Sequence, residues 1–546
     1  MKRRASARPF FRAPGLILIA VCALLLGPAA AAAVDGVPLS PPGSGTAYDM
    51  RSMEDPEMSG PMLAFEVYQL SGSPAVKSQT ARIHLWNAAT GLDRAIGLDG
   101  APPASADQRH PTVFDSFGDV YVVWEQQDGP GASRDLWLWR GMEDGQPLAG
   151  YPRLLVSGLA GSNQRSPALG VAEAVQNVHI VLAWTDDRDS AGASALIYAL
   201  DLSADGDGDT IPDYLEASFD PASAGRRLDF SGGALAGQHD PAVGRKGIFW
   251  LDDRGAAGSG ESDVYRAGLT TVTPQVTVFW HNTIFGPVDC TRATGEGAAW
   301  LGPGIAGGPF QPWARKVDAV KAGIVTSLAN PGAFDVDEAR YGLTGGHGGA
   351  TDTDPDVFFY DKATGQNVPV CSVGGPGWNR LRVQTTPTIA AAPGGSRIVW
   401  ADARQGTNTA ATDSDALAYQ LYVALVPTVS LSADKVIVRR GKTLTLSTTV
   451  APAFAGYGVR FQKGVSHKFP HPYYVGGAYT WYTGWTTLKT KALSSGSGAS
   501  WQWTPTQKGV YWVRAWFVGG KKYTDGGSRK VPHVPNTSRV IKIVVQ

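Results

Sequence analysis

Between residues 46 and 426 the chain alternates short apolar runs with clusters of Gly, Pro, Asp and Ser. Apolar runs of four to eight residues rich in β-branched and aromatic side chains predict strands joined by tight turns. Four of these strands end in tryptophan, at Trp124, Trp184, Trp250 and Trp400. Each follows a Gln-x-x-Pro phrase, at Gln108 to Pro111, Gln164 to Pro167, Gln238 to Pro241 and Gln384 to Pro387. Three continue as Trp-x-Asp-x-Arg: Trp184, Asp186, Arg188; Trp250, Asp252, Arg254; and Trp400, Asp402, Arg404. The two-residue period of a strand puts all three residues on one face. Buried Asp and Arg need partners, so repetition at equivalent places marks these nine residues as ties between structural units rather than as catalysts.

Gln238 and Gln384 are 146 residues apart, with a degenerate copy at the midpoint: Gln311, then Ile324, Val325 and Thr326. Another degenerate copy, Pro56 with the strand Met62 to Phe65, precedes the first clear one. The count is six units, each closing on a second alternating strand such as Ala81 to Trp86 or Asp263 to Leu269. Units of roughly 55 to 75 residues holding about four short strands suit propeller blades, where radial repetition buries both faces of every small sheet. The expectation is all-β: a six-bladed β-propeller over 34–426, its ring closed by a strand near Ala47 to Arg51.

With Gln-x-x-Pro, Trp-x-Asp-x-Arg and strand ends such as Ser262-Asp263-Val264-Tyr265 in register, residues 46–426 resemble the propeller repeats of the TolB-like family. The resemblance is specific in units three, four and six and weak in units one and five. The domain that precedes the propeller in TolB has no counterpart here, so that protein's partner-binding role is not implied.

After Pro427 a fresh pattern begins: Thr428 to Leu431, Lys435 to Arg439, Leu444 to Val450, Gly458 to Gln462, Ser500 to Trp503, Gly509 to Phe517 and Arg539 to Val545. About seven strands with Gly and Pro turns suit an antiparallel sandwich over 427–546. Arg440 to Leu446, Trp501 to Pro505 and Gly509 to Ala515 resemble bacterial Ig-like surface modules, a likeness of fold that implies no activity.

Charge separates the two parts. The formal net charge of zero hides 17 Lys and Arg against two acids in 427–546, and 26 bases against 46 acids in 34–426. A tail of net +15 is drawn to polyanions such as wall polymers. Docking on its own acidic propeller is the rival use. The aromatic group Tyr473, Tyr474, Tyr479, Trp481, Tyr482 and Trp485 suits sugar stacking and core packing equally.

Residues 1–33 combine Lys2, Arg3 and Arg4 with an apolar stretch from Leu16 to Leu26 and an alanine run to Ala33, the pattern of a secretory signal peptide. A secreted or extracellular protein, free or held at the cell surface, is expected, with no membrane span and no nucleic-acid partner. Its partner would be a surface protein or polysaccharide. In an oxidising compartment Cys290 and Cys371 are expected to form a disulfide, with buried free thiols as the alternative.

Candidate metal chemistry lies in the insertion 205–216, placed between units three and four. It sets Asp205, Asp207, Asp209, Asp213 and Glu216 at positions 1, 3, 5, 9 and 12, with the carbonyl of Ile211 at position 7. The phrase resembles the calcium loops of thrombospondin type 3 repeats and EF-hands, which implies structural calcium. Thr210 stands where glycine normally makes the turn.

No Gly-x-Ser-x-Gly, His-Glu-x-x-His or sialidase Asp-box occurs. The first expectation is therefore a binding or structural protein rather than an enzyme, with the propeller as interaction platform. The alternative is an extracellular polysaccharide lyase or glycoside hydrolase acting at the channel mouth, for which His347 clustered with acids from other blades would speak. A third reading is a cell-envelope component in which the propeller spaces and the tail adheres.

Overall fold

The computed structural model describes residues 37–38 and 51–546 apart from loop intervals, of which 325–333, 346–355, 372–383 and 403–419 are the longest. Between 275 and 386 it describes side chains at a minority of positions. The described elements are all strands save one turn of 3-10 helix at Asp213–Leu215.

Six four-stranded antiparallel sheets follow one another along the chain, over 51–95, 107–156, 164–227, 238–280, 289–324 and 334–371, each with its strands in sequence order. A seventh starts with Gln384–Ala392, Gly395–Asp402 and Gln420–Ala433. Apolar clusters join the first sheet to the second, the second to the third, the third to the fourth and the fourth to the fifth. Others join the sixth to the seventh and the seventh back to the first, and Arg292 of the fifth faces Asp335 of the sixth, so the body is a closed β-propeller. Among the described residues it has seven blades, which corrects the expected six. The stretch from Gln238 to Gln384 holds three blades rather than two. Gln311 sits on Gly308–Lys316, the third strand of blade five, opposite Gly302. The first strands of blades five and six carry no Gln-x-x-Pro, so repeat counting merged them.

The expected ring closure is also corrected. The edge of blade seven is covered by Val37–Pro38, antiparallel to Tyr422 and Val423, and by Arg529–His533 of the tail, joined in parallel through Leu425 and His533. Of the expected closing stretch only Arg51 is described, and it opens Arg51–Ser59, the first strand of blade one; 47–50 lie outside the described residues.

The repeated phrases resolve into one hydrogen-bond network. Asp186 is fully buried and accepts from Trp184 Nε1 at 2.8 Å, from Gln164 Nε2 at 3.3 Å and from Arg188 Nε at 2.8 Å. Asp252 likewise accepts from Gln238 Nε2 at 2.7 Å and Trp250 Nε1 at 3.4 Å. Trp184, Trp250 and Trp400 stack on Tyr198, Tyr265 and Tyr422 with ring centroids 5.9, 6.0 and 6.0 Å apart. These ties run within a blade. A repeated link between blades is the glutamine: Gln238 Oε1 accepts Ile197 N of blade three at 2.9 Å, and Gln108 Oε1 accepts Ile83 N of blade one at 3.1 Å. Arg254 and Arg404 lie outside the described residues, as does the side chain of Asp402.

The strand Gln420–Ala433 leaves blade seven without a linker: Gln420 to Pro427 pair with blade seven, and Thr428 to Ala433 pair with Leu444–Ala451. In the tail a three-stranded sheet and a sheet built on Gly458–Pro470, Gly509–Phe517 and Ile541–Val545 close over two apolar clusters. Leu444–Ala451 shows the period-2 burial of a strand with one wet face. Asn536 Nδ2 donates to Pro427 O at 2.7 Å, so the tail also grips the strand that delivers it.

Candidate active site in the propeller channel

The first strand of every blade faces a central channel of about 370 Å³, lined by Asp55 and Glu57, His110, Ser166, Asp240, Arg292, Asp335 and Ile389 in blade order. In blades one to four the Gln-x-x-Pro position is a β-bulge, with register shifts between Glu54 and Glu57, Arg109 and Thr112, Arg165 and Ala168, and His239 and Ala242. The residue before each proline takes a left-handed backbone: φ is 46° at Asp55, 49° at His110, 49° at Ser166 and 48° at Asp240. Non-glycine residues avoid this region, and such positions concentrate where side chains are aimed for function. All four line the channel.

Two carboxylates hold the bulges. Glu66, buried on blade one, accepts His110 N at 2.8 Å and the Tyr68 hydroxyl at 2.5 Å. Glu125, its counterpart on blade two, accepts Ser166 N at 2.8 Å and pairs with Arg134 at 2.6 Å. Burial first, and then Asp55, push the Glu66 carboxyl up to about 7. Since the same amide bond recurs at Glu125, Glu66 reads as architecture.

Glu57 has no such counterpart. The positions matching it across the bulge are Thr112, Ala168 and Ala242. Burial, then the charge of Asp335, push its carboxyl up to about 8 against the pull of Arg292, so it holds its proton more tightly than an ordinary carboxyl. The buried Thr388 hydroxyl joins the two acids, 2.8 Å from Asp335 Oδ2 and 3.5 Å from Glu57 Oε2. Asp335 Oδ2 also accepts Ile389 N at 2.8 Å, and Arg292 Nε stands 3.7 Å from Asp335 Oδ1.

On blade four Asp240 takes the opposite course. Burial raises its carboxyl, but His239, with Nδ1 3.1 Å from Asp240 Oδ2, and then Arg292 hold it below the ordinary carboxylate range. At the mouth His110 Nδ1 lies 3.2 Å from Asp55 Oδ2, and that bond above all pushes the imidazole up to about 9. One channel thus holds a carboxyl pushed up and a carboxyl held down, the divergence acid–base chemistry uses.

The residues singled out from sequence fall elsewhere. The loop 205–216 lies inside blade three, between its third and fourth strands, not between blades. Asp205, Asp207 and Asp209 bring carboxylate oxygens within 4.8 Å of one another, all exposed. Asp213 Oδ1 accepts Gly206 N at 2.6 Å, Glu216 Oε2 accepts the Ser218 hydroxyl at 2.9 Å, and Ile211 is exposed. Tyr214 anchors the loop in the cluster between blades two and three, its hydroxyl 3.0 Å from Tyr151 and 3.3 Å from Arg140 Nη1. Cys290 is on the first, channel-side strand of blade five and Cys371 on the fourth, outer strand of blade six. The side chains of both cysteines lie outside the described residues. His347 lies outside the described residues, as do the side chains of the tail aromatics other than Trp485. Sequence reading missed Asp55, Glu57, His110, Asp240, Arg292, Asp335 and Thr388. The usable signal was the varying residue before each repeated proline.

No protein family matches the chain, and no curated protein matches it by sequence. Among solved structures it is similar to a prolyl endopeptidase, at 12% identity and TM-score 0.40, covering 75% of this chain and 56% of that one. It is similar also to the propeller domain of the trilobed protease from Pyrococcus furiosus, at 9% identity and TM-score 0.38, covering 69% and 94%. A third is a thermostable family-43 glycoside hydrolase, at 11% identity and TM-score 0.30, covering 53% and 97%. The expectation of a binding protein rather than an enzyme is corrected here. The physical ground is the channel, where acids and a histidine from separate blades converge.

Proposed function

We propose that the chain is a glycoside hydrolase acting at the propeller channel, and the observation that carries this is that Glu57, linked through Thr388 to Asp335, shares one channel with Asp240, held by His239. Glycosidic cleavage needs a carboxylic acid to protonate the leaving oxygen and a carboxylate to serve as base or nucleophile. Glu57, kept neutral by burial and by Asp335, donates the proton. Asp240, kept ionised by His239 and Arg292, activates water or attacks the anomeric carbon. Thr388 and Asp335 orient Glu57. A lyase is the weaker reading, because the histidine at the mouth is a cation and Arg292, the channel's guanidinium among the described residues, already faces Asp335. The lining carries four acids against two cations, which favours an uncharged glycan over a uronate.

The test uses two leaving groups. Glu57→Gln is expected to lose about 10²- to 10⁴-fold in kcat on alkyl glycosides and to keep much of its rate on dinitrophenyl glycosides, which need no proton. Equal losses on both, or none, contradict the assignment.

The reading extends to export through 1–33, a segment outside the described residues, and to an Ig-like tail whose basic surface holds the enzyme to polyanionic polymers. It extends also to calcium at Asp205, Asp207 and Asp209, hard oxygen donors that suit this ion, with a structural role far from the channel.

A further inference from the structure

The four left-handed residues before proline have nearly one backbone geometry and three different uses. Asp55 pairs with His110, and Asp240 is held by His239. Ser166 shares their φ of nearly 50° and lines the same channel. Its hydroxyl makes no hydrogen bond among the described residues. Its amide is fixed: Ser166 N donates to Glu125 Oε1, and Glu125 is buried and held by Arg134 at 2.6 Å. An unfavourable backbone, seated on the buried carboxylate of Glu125, therefore presents a lone neutral hydroxyl to the channel between His110 and Asp240. A core role does not account for this, since the side chain is only half-buried and packs into no cluster.

We propose that Ser166 is a specificity-determining residue, exchanging a hydrogen bond with a hydroxyl of an uncharged glycosyl unit bound in the channel, with His110 beside it as a second donor. The inference rests on the reading of the channel as a glycan-cleaving site and deepens it by naming a residue that reads the bound sugar. A hydroxyl both donates and accepts, so it suits a sugar hydroxyl, and its neutrality leaves the charge of the pocket to the acids.

The full-length Glu57→Gln protein serves as a binding background, titrated with neutral oligosaccharides of several sugars, cellotriose among them. Ser166→Asn and Ser166→Asp are then added, since Asn and Asp tolerate a left-handed backbone and leave the bulge intact. The expected result is a change of about tenfold or more in affinity for the tightest probe, with a reordered panel and an unchanged melting temperature. Binding that keeps its order and strength in both variants overturns the proposal and leaves the hydrolase reading standing. Absence of binding by every probe, together with absence of cleavage by the wild-type protein, overturns both.

Discussion

Gln108 and Gln238 do the same work 130 positions apart, each accepting a backbone amide from the preceding blade and bonding the polar residue that follows the blade's tryptophan. Two positions further along the same strands, His110 and Asp240 share a backbone geometry and little else. Between blades the chain repeats its chemistry; on the channel face it repeats only the scaffold and varies the side chain. Repetition of a residue marks what the ring needs to close. Variation on a repeated bulge marks what the channel does.

The largest effect that bears on this contrast is catalytic. Asp240→Asn on the channel face is expected to cost at least about 10²-fold in kcat while the protein keeps its melting temperature, measured by steady-state kinetics beside thermal unfolding. Trp250→Ala, on the shared framework, reverses the pattern: about 3 to 5 kcal/mol of stability is lost in denaturant unfolding, because a fully buried indole leaves a cavity and strands Asp252. Gln238→Ala follows at about 1 to 3 kcal/mol, the penalty for orphaning Ile197 N and Asp252. Equal stability losses at Asp240 and Gln238 would erase the distinction between the two faces.

Smaller effects sharpen it. Glu57 binds a proton more tightly folded than unfolded, its carboxyl raised from the ordinary 4.5 to about 8. Its contribution to stability is therefore complete below about pH 4.5 and is lost as pH rises through 8. Melting temperature should fall across that window, and less steeply in Glu57→Gln. Calcium should raise the melting temperature by a few degrees over chelator, an increment that Asp207→Asn removes without touching the channel.

The sequence carried the framework well. Gln-x-x-Pro and Trp-x-Asp-x-Arg located the blades that hold them, and the tail strand Gly509–Phe517 appears with the expected bounds. Blades five and six were merged because Asp289–Thr294 and Phe334–Val336 carry no marker, having Arg292 and Asp335 on their channel-lining strands. The site was hidden for a related reason. Glu57, Thr388 and Asp335 are 331 and 53 residues apart along the chain and meet only because the ring closes between blades seven and one. No local spacing encodes that meeting.

The most direct measurement is the pH dependence of kcat/KM for glycoside hydrolysis, in the wild-type protein and in Asp335→Asn. If Glu57 is the proton donor, the wild-type profile falls on its alkaline side with an apparent pKa near 8. Removing the charge of Asp335, which helps hold that proton, shifts the limb to lower pH. An alkaline limb that stays in place in Asp335→Asn, or a profile flat from pH 6 to about 9, would contradict Glu57 as the acid.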